Sequence, residues 1–590
     1  MRQAVAALAL LAASAFAGLQ AHAEQAADPV APEASSGTVA TAQSATARRY
    51  MVVAAHPAAA RAGEAVLARG GSAVDALVAV QMVLGLVEPQ SSGLGGGGFL
   101  VHWSAADGIV TSYDGRETAP AEVGSDLFLG PDGKPLSFFE AVVGGRSVGT
   151  PATVRLMAEA HAKYGRLPWA ELLAPAIELA EKGFPVSPRL ADLIAAEGPR
   201  LKTDPEAAAY FFDADGKPRA AGTILHNPAY AATLRAIAAG GPDAFYSGEI
   251  AAAVVAKVRG AGFNPGHLTT TDLAHYTVVE RPALCGPALG HRLCGMGPPS
   301  SGTLAILQIL NLIEPYGIEA KSPAEADTWR LIGDATRLAF ADRERWLGDP
   351  DRLSIPLRGL LAPGYLALRG KLLGGARALD AVTPGIPAMD DGALPALPGR
   401  GETPELPSTT QVVIRDGDGD LLSYTGTIEN GFGSRLMVRG FLLNNELTDF
   451  SFIASDPDGR PVANRIEGGK RPRSSMAPVI VFDGETPVLA LGSPGGSRII
   501  GFVTQALIAR LAWRMELPAV VAMPHLMNRF GPFEVEAGTA ATGLVPGLQA
   551  LGYRVEVTDL NSGLAAIAIG GDGRLDGAAD PRREGVALGR

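Results

Sequence analysis

The chain has 590 residues, 47% hydrophobic and 19% charged, with a net charge of −11. This length supplies core material for more than one small domain, and the acidic balance excludes an electrostatic attraction to nucleic acid or an anionic membrane surface. A soluble globular protein that works on small molecules is expected.

The N-terminus reads "MRQAVAALALLAASAFAGLQAHAEQ": Arg2, a short apolar run, then Ala21-His22-Ala23, the small-x-small pattern of a secretory cleavage point. Residues 1–23 therefore read as a signal peptide, which makes the mature protein periplasmic or secreted. The apolar run is short for a bilayer span, so no stable membrane anchor is expected. Residues 24–48, rich in Ala, Ser, Thr and Pro, read as a disordered tether.

Helical periodicity follows in "PAAARAGEAVLARGGSAVDALVAVQMVLGLV", "PATVRLMAEAHAKYG" and "WAELLAPAIELAEKG", and short β-branched runs such as "HYTVVERP" and "PVIVFDG" come later. The pattern is that of an α+β protein with a helix-rich first half. "GLGGGGF" at 93–99 lacks the Lys-Ser or Lys-Thr of a phosphate loop and reads as closely packed backbone. Gly145-x-Ser147-x-Gly149 matches a nucleophile elbow, but the oxyanion motif expected upstream is missing. A tight turn with Thr150 as helix N-cap and Pro151 at the first helical position is the better reading.

The two cysteines lie in "ALCGPALGHRLCGM". If the chain reverses at Leu289-Gly290, Cys285 and Cys294 face each other on paired strands. Export to an oxidising compartment favours a disulfide over the alternative of two buried thiols. There is no His-Glu-x-x-His, and two cysteines cannot build a zinc-cysteine site, so neither metal nor cofactor is predicted.

Residues 379–408 are rich in Pro and Gly and read as a long flexible loop, either a domain linker or a functional segment. A hairpin signal follows, "STTQVVIRDGDGDLLSYTGT". With Gly417-Asp418-Gly419 as a three-residue loop, Asp416 faces Asp420 and Thr409 faces Thr427; a two-residue loop would shift that register by one. A threonine becomes a good nucleophile when it is a chain terminus whose own α-amine takes its proton, which requires a cut between Ser408 and Thr409. The loose tract upstream would give the ends of that cut freedom to rearrange.

At this point the motifs "GGSAVDA", "SSGLGGGGFLVHW", "DGRETAPA", "GPPSSGTL", "STTQVV", "FLLNNELTDFS", "KRPRSSMAP", "LGSPGGSRII" and "ADPRR" carry a resemblance. From about residue 51 to the C-terminus the chain resembles the γ-glutamyltransferase (glutathione hydrolase) family of N-terminal-nucleophile hydrolases. The resemblance implies a four-layer αββα sandwich, made as a precursor that cuts itself into a large subunit, 49–408, and a small catalytic subunit, 409–590, held together as a heterodimer. It implies Thr409 as nucleophile, Thr427 as its hydrogen-bond partner, and the N–H groups of Gly495 and Gly496 as oxyanion hole. It assigns the α-carboxylate of a glutathione-like γ-glutamyl donor to Arg116, Ser474 and Ser475, and its α-ammonium to Glu446 and Asp449 with Glu429 beside them. Water, an amino acid or a peptide would accept the acyl group.

The chain departs from the family pattern in three places. Gln411 stands where many members have histidine, Glu429 where some have asparagine, and 450–473 lacks the tyrosine of a pocket lid. Two alternatives remain open: an acylase for glutaryl or cephalosporin side chains, and a binding protein that never cuts itself.

Overall fold

The computed structural model describes residues 42–392, 396–401 and 408–590. The signal-peptide reading, most of the tether reading and the tract just before Ser408 lie outside the described residues. Two seven-stranded sheets organise the chain. One runs, in spatial order, Gln43–Ala47, Leu575–Ala579, Ala565–Ile569, Thr486–Gly492, Val479–Asp483, His291–Gly295, Leu284–Ala288. The other runs Val586–Gly589, Met51–Ala54, Thr410–Arg415, Leu421–Thr427, Gly97–Ser104, Ile109–Gly115, Val279–Pro282.

The alternation of side chains along the second sheet builds the layers. Val52, Ala54, Val412, Ile414, Leu422 and Tyr424 pack into a core shared with the helices Pro57–Ala68 and Ala73–Val87. Met51, Val53, Val101 and Val413 point the other way, into a core shared with Val479, Val481 and Leu491 of the first sheet. That core continues into the helices Gly302–Ile313, Ala326–Trp346 and Ile499–Leu507. Helices thus cover both outer faces of two stacked sheets, the αββα sandwich of the N-terminal-nucleophile hydrolases.

The hairpin takes the three-residue loop. Thr410 pairs with Gly426 and Arg415 with Leu421, so Thr409 lies opposite Thr427. Asp416 holds the turn, its Oδ1 accepting the N–H groups of Asp418, Gly419 and Asp420 at 3.0, 2.9 and 3.0 Å.

Three readings change. Gln43–Ala47, at the end of the expected tether, forms an edge strand on Leu575–Ala579, because that sheet edge offers unpaired backbone groups. The stretch after "GTP" becomes helical at Thr153, not at Pro151. The N–H of Thr150 goes to the Thr118 carbonyl, and those of Ala152 and Thr153 go to Gly96 O at 2.7 and 2.9 Å, so a backbone carbonyl takes the place of a side-chain cap. The described part of 379–408 is anchored along its length. Val382 is buried, Gly385 N–H reaches Asp342 at 2.7 Å, and Gly399 N–H reaches Pro461 O at 2.8 Å. It is no domain linker, because the strand after it sits between Met51–Ala54 and Leu421–Thr427.

The chain reverses at Leu289-Gly290, Cys285 pairs with Cys294, and a disulfide joins them. Denatured, unreduced protein should expose no reactive thiol. Replacing both cysteines by serine should lower unfolding stability by about 2–3 kcal/mol, as expected for so short a loop; an unchanged denaturation midpoint would contradict this.

Candidate active site

One small cavity is lined by Arg116, Thr409, Thr427, Glu429, Glu446, Asp449, Ser474, Ser475 and Gly496. Gly495 adjoins it through Gly496. The structure thus gathers in one place every predicted catalytic and substrate-binding residue, drawn from segments more than 300 residues apart.

Thr409 heads the strand Thr410–Arg415 in the middle of its sheet. Its Oγ1 donates to the Ser408 carbonyl at 2.6 Å and lies 3.5 Å from Thr427 Oγ1. Thr427 Oγ1 accepts the Glu429 N–H at 2.8 Å and donates its own proton to the same Ser408 carbonyl at 2.8 Å. Two hydroxyls therefore converge on the carbonyl of the Ser408-Thr409 peptide bond. Glu429 adopts a left-handed backbone with φ of +75°, a conformation that strains a non-glycine residue and here aims its N–H at Thr427.

The glycine run at 95–98 explains how close these strands lie. A Cβ on Gly96 would stand 2.0 Å from Thr427 O, and one on Gly95 would stand 2.1 Å from Leu442 O. The run is closely packed backbone at the active site. At the other wall, Gly495 and Gly496 have φ of +139° and +58°, and lead into the helix Ile499–Leu507. Side chains would oppose that turn, and Gly496 lines the cavity.

Arg116 does not present an open fork. Its Nε donates to Pro472 O at 3.2 Å and its Nη2 to Arg473 O at 3.0 Å, while Nη1 and Nη2 also pair with Glu446 and Asp449. Those contacts use four of the five N–H bonds a guanidinium carries, so a single Nη1 N–H is left for a ligand. Burial works against its charge, but Glu446 and Asp449 outweigh that and hold Arg116 firmly cationic. Against this one cation stand Glu446, Asp449 and Glu429, which is held by Asn445 Nδ2. Three carboxylates and one guanidinium line the cavity, a set rich in acceptors for a cationic group.

Sequence reading missed several supports. Arg583 Nη1 donates to the Thr409 carbonyl at 2.8 Å, and Thr410 Oγ1 donates to Glu88 at 2.9 Å, itself paired with Arg189 at 2.6 Å. Gln411 lies on the same side of its strand as Thr409 but is spent on the interior. Its amide donates to Ser423 Oγ at 2.9 Å and its carbonyl accepts from Thr425 at 2.6 Å. Ser147 is buried and donates to Val142 O at 2.6 Å, which leaves no elbow nucleophile.

Comparison with known proteins follows the same line. A family model described as gamma-glutamyltranspeptidase matches residues 59–590. The chain belongs to the γ-glutamyltranspeptidase family. It is 36% identical to the glutathione hydrolase proenzyme of Bacillus subtilis (strain 168) over 91% of each chain. It is 34% identical to the acylase ACY 1 proenzyme of Pseudomonas sp. (strain V22), over 92% of this chain and 94% of that one. The crystal structure of cephalosporin acylase from Bacillus halodurans superposes with a TM-score of 0.80 at 26% identity, covering 93% of this chain and 97% of that one. Membership makes the protein an enzyme of this family. Among the described residues no helix is long and apolar enough to cross a membrane.

Glu117 follows Arg116 in the sequence and was passed over by the motif reading. It is fully buried, and neither of its oxygens meets a donor in ordinary geometry. Burial, and then the negative charge of Glu446, push its carboxyl well above the usual carboxylate range. The folded protein therefore holds a proton that the unfolded chain releases at about pH 4. The associated stability is complete below that pH and is lost as pH rises through the raised value. Glu117→Gln removes the loss. The variant and the wild type should melt together near pH 4, as expected for an ordinary glutamate reference of about 4.3, and the variant should melt higher in mildly alkaline buffer. A melting difference that is the same at both pH values would rule out a protonated Glu117.

Proposed function

We propose that the chain is an exported precursor that cuts itself between Ser408 and Thr409 and then transfers γ-glutamyl groups through Thr409. The observation that carries this reading is the Ser408 carbonyl, held by the hydroxyls of both Thr409 and Thr427. Attack of Thr409 Oγ1 on that carbonyl carbon forms a C–O bond, and the C–N bond to Thr409 breaks as its nitrogen takes the proton. The ester left behind is hydrolysed by water, releasing the Ser408 carboxylate and a Thr409 with a free α-amine. Thr427, its orientation set by the Glu429 N–H, stabilises the oxygen that becomes negative during attack.

In turnover the new α-amine takes the Thr409 hydroxyl proton, and Oγ1 attacks the γ-carbonyl of glutathione or a related γ-glutamyl amide. The N–H groups at Gly495 and Gly496 receive the oxyanion, and the protonated leaving amine departs. Water or an amino group of an amino acid or peptide then displaces the γ-glutamyl group from the threonine. The acidic side chains at 429, 446 and 449 suit the donor's α-ammonium, and Arg116 with Ser474 and Ser475 suits its α-carboxylate. Thr409→Ala should remain a single chain and lose γ-glutamyl anilide hydrolysis by at least about 10³-fold, the scale of a removed nucleophile. Two chains, the smaller beginning Thr409-Thr410-Gln411, should appear in the wild type by intact mass; a variant that still cuts and turns over would overturn the assignment.

The likeness to a cephalosporin acylase supports a second reading, in which a glutaryl-type side chain is the donor. Glutaryl has no α-ammonium, so the surplus of carboxylates favours γ-glutamyl. In direct competition the wild type should cleave γ-glutamyl anilide in preference to glutaryl anilide by about tenfold or more, the worth of one charge-assisted contact. Equal rates would move the acylase reading forward.

A further inference from the structure

With one N–H of Arg116 open to a ligand, carboxylate recognition falls mainly on Ser474 and Ser475, and a second buried arginine stands directly behind them. Arg343 lies in the last turn of the helix Ala326–Trp346, its side chain 1% exposed. Its Nη2 donates to Ser475 Oγ at 2.7 Å, and its Nε donates to Ser301 Oγ at 2.7 Å. Ser301 in turn holds the neighbouring serine: its N–H and its hydroxyl both donate to the Ser474 carbonyl, at 2.7 and 2.6 Å. One guanidinium therefore grips both members of the pair, Ser475 directly and Ser474 through Ser301.

The direction of these bonds matters. A guanidinium can only donate, so Ser475 Oγ is the acceptor in its bond to Arg343 and turns its proton away from the arginine. Ser474 Oγ likewise accepts, from the Met476 N–H at 3.1 Å. Both serines line the cavity, where ordered hydroxyls give an anion polar partners. Glu344 compensates the charge: it pairs with Arg343 and accepts from Arg473 Nη2 at 2.8 and 2.9 Å.

We propose that Arg343 is the positioning residue of the carboxylate pocket, orienting Ser474 and Ser475 so that donors carrying a carboxylate on Cα are selected over those without it. This rests on the reading of the site as a γ-glutamyl pocket. Arg343 touches no reacting atom, and its effect is on donor selection and KM.

The test uses the processed wild type, Arg343→Gln and Ser301→Ala, under single-turnover conditions so that slow donors are still read. The probes are γ-glutamyl, 4-aminobutyryl, glutaryl and butyryl p-nitroanilides. 4-Aminobutyryl keeps the α-amine and lacks the carboxylate; glutaryl keeps the carboxylate and lacks the amine. Arg343→Gln should lower the γ-glutamyl to 4-aminobutyryl selectivity by about 10- to 100-fold, the range of a lost charge-assisted contact. Most of that loss should appear as weaker donor binding, and Ser301→Ala should move the ratio the same way. If Arg343→Gln is not processed, Ser301→Ala decides alone. An equal fall with both donors, or no change in either, would mean a purely structural arginine and overturn the proposal. A wild type that prefers glutaryl overturns the γ-glutamyl reading instead, and the Arg343 assignment is then decided by the glutaryl to butyryl ratio under the same criterion.

Discussion

The structure depends on the backbone pairing of one central strand. Thr410–Arg415 is hydrogen-bonded to Met51–Ala54 on one side and to Leu421–Thr427 on the other. Cutting the bond before Thr409 removes none of those ladder bonds, so the new terminus stays where the sheet holds it. The same ladder ties the two halves of the chain into one fold. Residues 51–54, 410–415 and 586–589 are consecutive neighbours in one sheet, and no surface exists along which the halves could part without opening it.

Register turns that constraint into chemistry. Because side chains alternate with period two, a slip of one residue would place Thr409 on the helix side of the sheet and break its pairing with Thr427. Asp416 prevents the slip. Its Oδ1 collects three turn N–H groups, and its Oδ2 accepts the Ala73 N–H at 3.0 Å, which docks the turn on the start of the helix Ala73–Val87. A carboxylate at the far end of the hairpin thus decides which hydroxyl faces Thr409.

The electrostatics of the pocket are set by burial and an unequal count of charges. Arg116 is committed to Glu446 and Asp449, and Glu429 adds another carboxylate to the lining. Behind this group the C-terminal residues act as a brace. Arg583 reaches the Thr409 carbonyl, and Ser562, held by His525 at 2.6 Å and by Asp580, precedes Gly563, whose N–H meets Ser493 just before the glycine turn at 495–496. The last residues of the chain thereby steady both Thr409 and that turn.

The sequence alone determined the local elements and the chemistry of the motifs. Hairpin register, cysteine pairing and the helices flanking "GGS" were legible because each depends on spacing within some twenty residues. The helix start after Gly149 was not, since the carbonyl that caps it belongs to Gly96. Nor was the strand at Gln43–Ala47, whose weakly apolar residues fold only because a sheet edge 530 residues away in sequence is open to them. Arg116 looked like an open fork because its motif says nothing of Pro472 and Arg473, and no motif singled out Arg343. Tertiary structure decided the roles of both arginines, because a guanidinium's function lies in which acceptors surround it, and here those acceptors come from segments that meet only when the sheets stack.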